Sequence, residues 1–213
     1  MSFIDIISDL PTNPANPYKS RPLAGVNTIV VHQTDGSDKG IDSVVSAANY
    51  HVNTKGWGGI AYHVFVTDDG KQYLTNKLET KSYHAGGHNT RSVGITITGK
   101  HRYDPSKTNE EIIGKKKYDA LVSAIVKTMS MLPNSNIEII SHKNVSSSGK
   151  TDPNLNMDQL RNDVKKKKSS PAVMDSAGAG DNSDSSFDVE NIEAIKLHLD
   201  TIKHHVMEIE KLI

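Results

Sequence analysis

Cysteine is absent from the 213 residues. Disulfides and thiolate metal sites are therefore excluded, and any bound metal must take its ligands from His, Asp or Glu. Net charge is absent too: Lys plus Arg is 25 and Asp plus Glu is 25. A balanced chain carries no basic footprint, so no nucleic acid is expected as a partner. No apolar run approaches the roughly 18 residues of a membrane-spanning helix, so no membrane insertion is expected. The opening "MSFIDIISDLPTN" has neither a basic n-region nor a long apolar h-region and does not read as a secretory signal. These absences together predict a soluble protein made in the cytoplasm.

What is there is a set of short apolar runs separated by turn residues. The run "VNTIVVH", Val26 to His32, is β-branched and reads as a strand. Ile41, Val44, Val45, Ala48 and Val52 recur at helical spacing. "GIAYHVFVTDDGKQYLTN" reads as two strands joined by an Asp-Asp-Gly turn, and "SVGITITG" as another strand. One helix is predicted to start near "TNEE", where Thr108 and Glu111 have capping-box spacing. Its apolar face runs through Tyr118, Leu121, Val122, Ile125, Met129 and Leu132, and Pro133-Asn134 ends it. "NIEIISH" returns to strand, and "MDQLRNDVKKKK" is a short amphipathic helix. Strands alternating with helices predict an α/β sheet with helices packed on it. The lysines at 165–168 read as a solvated helix end, where cations suit the dipole, or as an attraction for an anionic polymer.

After Lys168 the composition turns to Ser, Ala, Gly and Asp with almost nothing large to bury. Residues 169–186 are therefore expected to be a flexible linker that closes a catalytic domain at residues 1–168. Residues 187–213 then place Ile192, Ile195, Leu199, Ile202, Val206, Ile209 and Ile213 at alternating spacings of three and four. That is a coiled-coil seam of about three heptads, predicted to assemble into a trimer or tetramer because Ile fills every d position. Packing of this helix against its own catalytic domain is the competing reading.

The residues that carry chemistry lie before the linker. Two of the predicted strands each end in a histidine, His32 and His142. Strand ends are where α/β folds usually build sites. Asp152 precedes Pro153, which biases it to an extended conformation, so Lys150 and Asp152 should face the same side. Two imidazoles and one carboxylate would leave a fourth zinc position open, the pattern of a catalytic site. Tyr62 on these grounds alone reads as a strand aromatic packed in the core. His84, Gly86, Gly87 and Asn89 lie in the "HAGGHN" loop, which either approaches a ligand closely or is a plain turn. Trp57 either stacks on a sugar or covers the sheet, and His63 and His88 are alternative ligands.

Four fragments occur in order: "VHQTDG", "KGWGGIAYHVFVTDDG", "HAGGHNTRSVGITITG" and "SHKNVSSSGKTDPN". Together they resemble the zinc-dependent N-acetylmuramoyl-L-alanine amidases of the peptidoglycan-recognition and phage-lysozyme type, over roughly residues 24–165. The resemblance implies a central mixed β-sheet flanked by helices, and cleavage of the amide between N-acetylmuramic acid and L-alanine of the stem peptide. It implies one zinc ion held by His32, His142 and Asp152. It matches Tyr62 to an active-site tyrosine and Lys150 to a catalytic lysine, and it places the loop with His84, Gly86 and Asn89 along the peptidoglycan groove; Trp57 is a candidate for the same groove by its ring alone. Where some members carry a glutamate, this chain has Thr96, so Tyr62 and Lys150 must supply its role. The resulting expectation is a phage or prophage endolysin, held in the host cytoplasm before lysis and then acting on the wall. A cytoplasmic amidase that recycles wall fragments and a non-catalytic peptidoglycan-binding module are the rivals.

Overall fold

The computed structural model describes residues 2–169. The predicted linker beyond Ser169 and the coiled-coil seam at 187–213 lie outside the described residues. Six strands form one mixed sheet: β1 (Ile4–Asp5), β2 (Thr28–Gln33), β3 (Val64–Val66), β4 (Gln72–Leu74), β5 (Ser92–Ile97) and β6 (Glu138–Ser141). Their order across the sheet is β1-β4-β3-β5-β2-β6. The hairpin β3–β4 is antiparallel, and the pairings β1/β4, β3/β5, β5/β2 and β2/β6 are parallel. Helices α1 (Ile41–Asn49), α2 (Asn109–Ile113), α3 (Lys115–Met131), α4 (His142–Val145) and α5 (Met157–Ser169) complete the fold. The expected α/β architecture, a central mixed sheet flanked by helices, is what the chain forms.

The period-two rule divides the sheet into two unlike faces. Ile29 and Val31 of β2, Val93, Ile95 and Ile97 of β5 and Ile139 of β6 enter the main apolar core. There they meet Tyr118, Leu121 and Ile125 of α3 and Leu160 and Val164 of α5. Val30 and Ile140, on the other face, join a separate small cluster with Ala85. His32, Gly94 and Thr96 share that second face by alternation, and His32 pairs with Thr96 in the β2–β5 register. Every residue of β2 and β5 is buried. A central parallel strand is covered on both sides, which is why "TIVV" and "SVGITI" read as near-continuous runs.

Three local readings change. The helix expected from Thr108 is two helices, because Gly114 adopts a φ of +85° that ends α2 and starts α3 afresh. The capping box of Thr108 and Glu111 is formed, but it serves the five-residue α2. The helix expected over residues 41–52 stops as an α-helix at Asn49 and continues as a π-turn, Tyr50–Thr54. His142 does not end a strand: β6 stops at Ser141, whose hydroxyl accepts from the Asn144 amide and caps α4. An N-cap with extended backbone turns the chain out of the sheet one residue earlier than periodicity alone indicates.

Candidate metal centre and cleft

His32 sits at the carboxyl end of β2 with none of its surface exposed. His142 starts α4, on the neighbouring strand's exit. Asp152 lies in the following loop, which is tied to α4 by the Lys143 amide donating to the Asp152 carbonyl at 3.0 Å. Two side-chain contacts bring the set together. His142 Nδ1 lies 3.0 Å from Asp152 Oδ1, and His32 Nδ1 lies 3.2 Å from Asp152 Oδ2. One donor atom from each of the three residues falls within 4.8 Å of the others. Nitrogen and oxygen donors at this spacing suit a divalent cation such as zinc, and they are the group expected from the sequence.

The environment sets the charge states. Burial lowers the His32 pKa to about 4, so its ring is neutral at neutral pH; the nearby His142 and Lys150 charges act in the same direction. Burial alone would raise the Asp152 carboxyl, but its contacts with His142 and His32 outweigh it and hold the group far below the usual carboxylate range. The set thus presents a neutral imidazole beside a fixed carboxylate, and metal binding needs both of those protonation states.

A cleft of about 430 Å³ opens beside the set; its lining includes His142 of the set together with Tyr62, Lys150, His84 and Trp57. The Tyr62 ring centre is 5.0 Å from that of His32. Burial, then the charges of Asp152 and Asp35, push its hydroxyl well above the ordinary value of 10, so it stays protonated and able to donate. Lys150 is exposed on the cleft rim. Trp57 stacks on His51 at 5.0 Å and meets the edge of Tyr83 at 6.0 Å.

The "HAGGHN" loop divides. His84 is buried and reaches His32 directly, with His84 Nδ1 3.1 Å from His32 Nε2. Gly86 is exposed, and neither it nor Asn89 is among the residues lining the cleft. Asn89 closes the turn instead, its Oδ1 accepting from the Ala85 amide at 2.7 Å. His63 is not part of the donor set: its Nδ1 accepts from the Gly94 amide at 3.0 Å. His88 Nδ1 accepts from the Arg91 guanidinium. Thr96 is fully buried beside His32 and places no carboxylate there.

Sequence reasoning did not single out Tyr50, His51, Tyr83 or Ser37, all of which line the cleft; Thr34 and Gly36, which also line it, lie in the "VHQTDG" fragment without an assigned role. Thr34 to Ser37 follow β2 directly, so proximity to a strand end was a further signal. That segment continues into Asp38, which is gripped by the buried Lys117 of α3 and by the Thr98 hydroxyl. A buried cation from the far side of the sheet thereby fixes the cleft's near wall.

Fold and donor set define an α/β protein with three candidate metal ligands, His32, His142 and Asp152, beside a cleft. The chain belongs to the N-acetylmuramoyl-L-alanine amidase family, whose sequence profile matches residues 21–155. A human N-acetylmuramoyl-L-alanine amidase is 34% identical over 95 residues, covering 40% of this chain and 16% of that protein. Peptidoglycan-recognition protein SC1a of Drosophila melanogaster is 31% identical over 64 residues, covering 30% of this chain and 35% of that protein. The chain thus matches well under two thirds of either relative's length. Among solved structures, the amidase LysC from Clostridium intestinale superposes with a TM-score of 0.59 at 20% identity, over 78% of this chain and 98% of LysC. Bumblebee peptidoglycan-recognition protein SA superposes with a TM-score of 0.62 at 21% identity, over 76% and 94%.

Proposed function

We propose that this chain is a zinc-dependent peptidoglycan hydrolase that cleaves the amide between N-acetylmuramic acid and L-alanine of the stem peptide. The observation that carries this reading is the convergence of His32, His142 and Asp152 beside a cleft lined by His142, Tyr62 and Lys150. Zinc, when bound, supplies Lewis-acid activation of water and of the scissile carbonyl. The protein's own groups divide the remaining work. Neutral His32 and ionised Asp152 hold the ion with His142. The Lys150 ammonium on the rim supplies positive charge for the oxyanion that develops on the attacked carbonyl. Interactions that strengthen only as that charge develops lower the barrier. Tyr62, kept protonated by its burial, donates a hydrogen bond into the same space and cannot act as a base near neutral pH. Trp57 and Tyr83 offer flat faces suited to the sugar or the stem peptide.

The role in this proposal is that of an endolysin, held in the host cytoplasm until the membrane is breached and then acting on the wall. Purified protein incubated with isolated peptidoglycan should release new L-alanine amino groups and contain one zinc per chain. Glycan fragments with no freed amino groups would overturn the bond assignment. The second reading, a non-catalytic recognition module, is favoured by the peptidoglycan-recognition proteins among the fold's relatives, one of them solved with tracheal cytotoxin. Binding of peptidoglycan with no turnover in zinc-loaded protein would select it. Clearing of soluble fragments but not of intact wall would instead select a recycling amidase.

A further inference from the structure

Beneath the proposed metal centre runs a line of buried polar groups: His32, His84 and Ser92, with Arg21 and His63 beside it. The hydrogens along this line can be followed inward from the backbone, starting at the hydroxyl of Ser92. Ser92 Oγ has one hydrogen, and the His88 carbonyl accepts it at 2.8 Å. The Ser92 hydroxyl is therefore an acceptor toward its other neighbour, His84 Nε2, at 3.2 Å. The Ser92 carbonyl, also an acceptor, lies 3.3 Å from the same nitrogen. His84 Nε2 faces two acceptors, so it must carry the ring's proton. A neutral imidazole has one donor nitrogen and one acceptor nitrogen. His84 Nδ1 is therefore the acceptor, and at 3.1 Å it faces His32 Nε2. His32 then holds its proton on Nε2 and keeps the Nδ1 lone pair beside Asp152, 3.2 Å away; the opposite tautomer, with Nδ1–H donated to Asp152, requires Ser92 to give up the His88 carbonyl.

We infer that His84 is a positioning residue: its hydrogen bond to Ser92 selects the tautomer of His32 and leaves the His32 Nδ1 lone pair for the metal centre. A lone pair aimed at a carboxylate at that distance is repulsive unless a cation lies between them, so the line of hydrogens prepares the centre for a metal. The fold makes room for this arrangement. Gly94 of β5 lies under the His84 ring, and a Cβ there would come within 2.7 Å of His84 Cγ and Nδ1. The Gly94 amide meanwhile donates to His63 Nδ1 at 3.0 Å, leaving His63 Nε2–H for the Thr80 carbonyl at 2.9 Å. His63 is thus satisfied by backbone and does not compete for His84. Partners that orient a metal-bound imidazole through its far nitrogen typically change metal affinity about 10–100-fold when removed.

This inference rests on the metal reading of the site, but its test separates the two. Long-range proton–nitrogen spectra of the metal-free wild-type protein at neutral pH should show a proton on His32 Nε2. His84→Leu keeps the bulk and removes both nitrogens; it should lose that fixed tautomer and bind zinc about 10–100-fold more weakly in chelator competition. His84→Asn places an acceptor oxygen near the Nδ1 position and should recover most of the affinity. Thermal melts of both variants report folding separately from binding. A folded His84→Leu protein with wild-type zinc affinity, or a wild-type spectrum with His32 Nε2 bare, would overturn the inference. If His84→Leu fails to fold, the wild-type spectrum and the Asn variant still decide it. Wild-type protein that takes up no zinc would overturn the proposed function, while the tautomer spectrum would still decide the role of His84.

Discussion

The two faces of strands β2 and β5 are built from alternate residues of the same short segments, and they behave as different materials. One face, with Ile29, Val31, Val93, Ile95 and Ile97, is uniformly apolar and packs on α3 and α5. The other carries His32, Gly94 and Thr96, and is packed by polar rings and hydrogen bonds. The first face tolerates repacking by residues of similar volume, because dispersion and hydrophobic burial are not directional. The second does not, because each buried polar atom depends on one named partner. Stability therefore resides mainly on one side of the sheet and chemistry on the other, separated by the thickness of a strand.

The largest effect should come from breaking the polar face at its donors. His32→Ala, His142→Ala and Asp152→Ala should each lose bound zinc, by elemental analysis, and with it all turnover. Any of the three keeping full zinc content would remove that residue from the ligand set. The next effect sharpens the division within the cleft. Lys150→Ala should retain zinc yet lose about 10²–10³ in kcat, the scale of removing one oxyanion donor. Tyr62→Phe should also retain zinc and slow the reaction. Loss of metal from Lys150→Ala would make its role structural.

The apolar face should respond in the opposite way. Ile29→Ala should cost about 2–5 kcal/mol of stability in denaturant melts, from lost burial plus the cavity left behind. Its zinc content and kcat should remain near wild type at temperatures where it is folded. A folded Ile29→Ala protein that loses zinc would show that the two faces are mechanically coupled.

Acid offers a gentler probe of the same contrast. Burial lowers His63 to about 3 and His32 to about 4 from an ordinary 6.5, and lowers His51 to about 4. Each folded pKa is below the unfolded value, so the unfolded chain binds more protons across that window. The stabilisation is fully present above about 6.5 and is lost as pH falls toward 4. Denaturation midpoints of the metal-free protein should decline through this range. A flat midpoint from pH 7 to 4.5 would contradict the burial of these rings.

How much of this was legible beforehand follows the same division. The apolar runs of β2, β5 and β6 and the apolar stripe of α3 are local patterns, so the fold class and the core could be read directly. His32, His142 and Asp152 stood out because a strand end or a proline marked them. The break at Gly114 was hidden because a positive φ leaves no trace in hydrophobic spacing, and Ser141 ended β6 early through its cap. Tyr50, His51 and Tyr83 gave no signal as cleft residues, since only the packing of α1 and the loop before β5 brings them to the wall. The pairing of Lys117 with Asp38, 79 positions apart, was equally invisible.

The smallest effect concerns residues 187–213, which lie outside the described residues and enter as a proposal from sequence alone. With Ile192 at position a, the a positions read Ile192, Leu199, Val206 and Ile213, and the d positions read Ile195, Ile202 and Ile209. A helix of this length is marginal alone in water, and a seam without a partner would expose a row of isoleucines. Identical chains are the nearest partners, and Ile at every d position favours three or four strands over two. Several catalytic domains joined this way would gain avidity for a polymeric wall without any new contact. Catalysis on a soluble muropeptide needs only one cleft, so deleting residues 187–213 should leave that rate unchanged. Clearing of intact wall should fall, because each released domain must rebind on its own. Sedimentation of the full chain as a monomer at micromolar concentration would refute the assembly, and an Ile202→Asp variant of unchanged mass would show that the seam is not its interface.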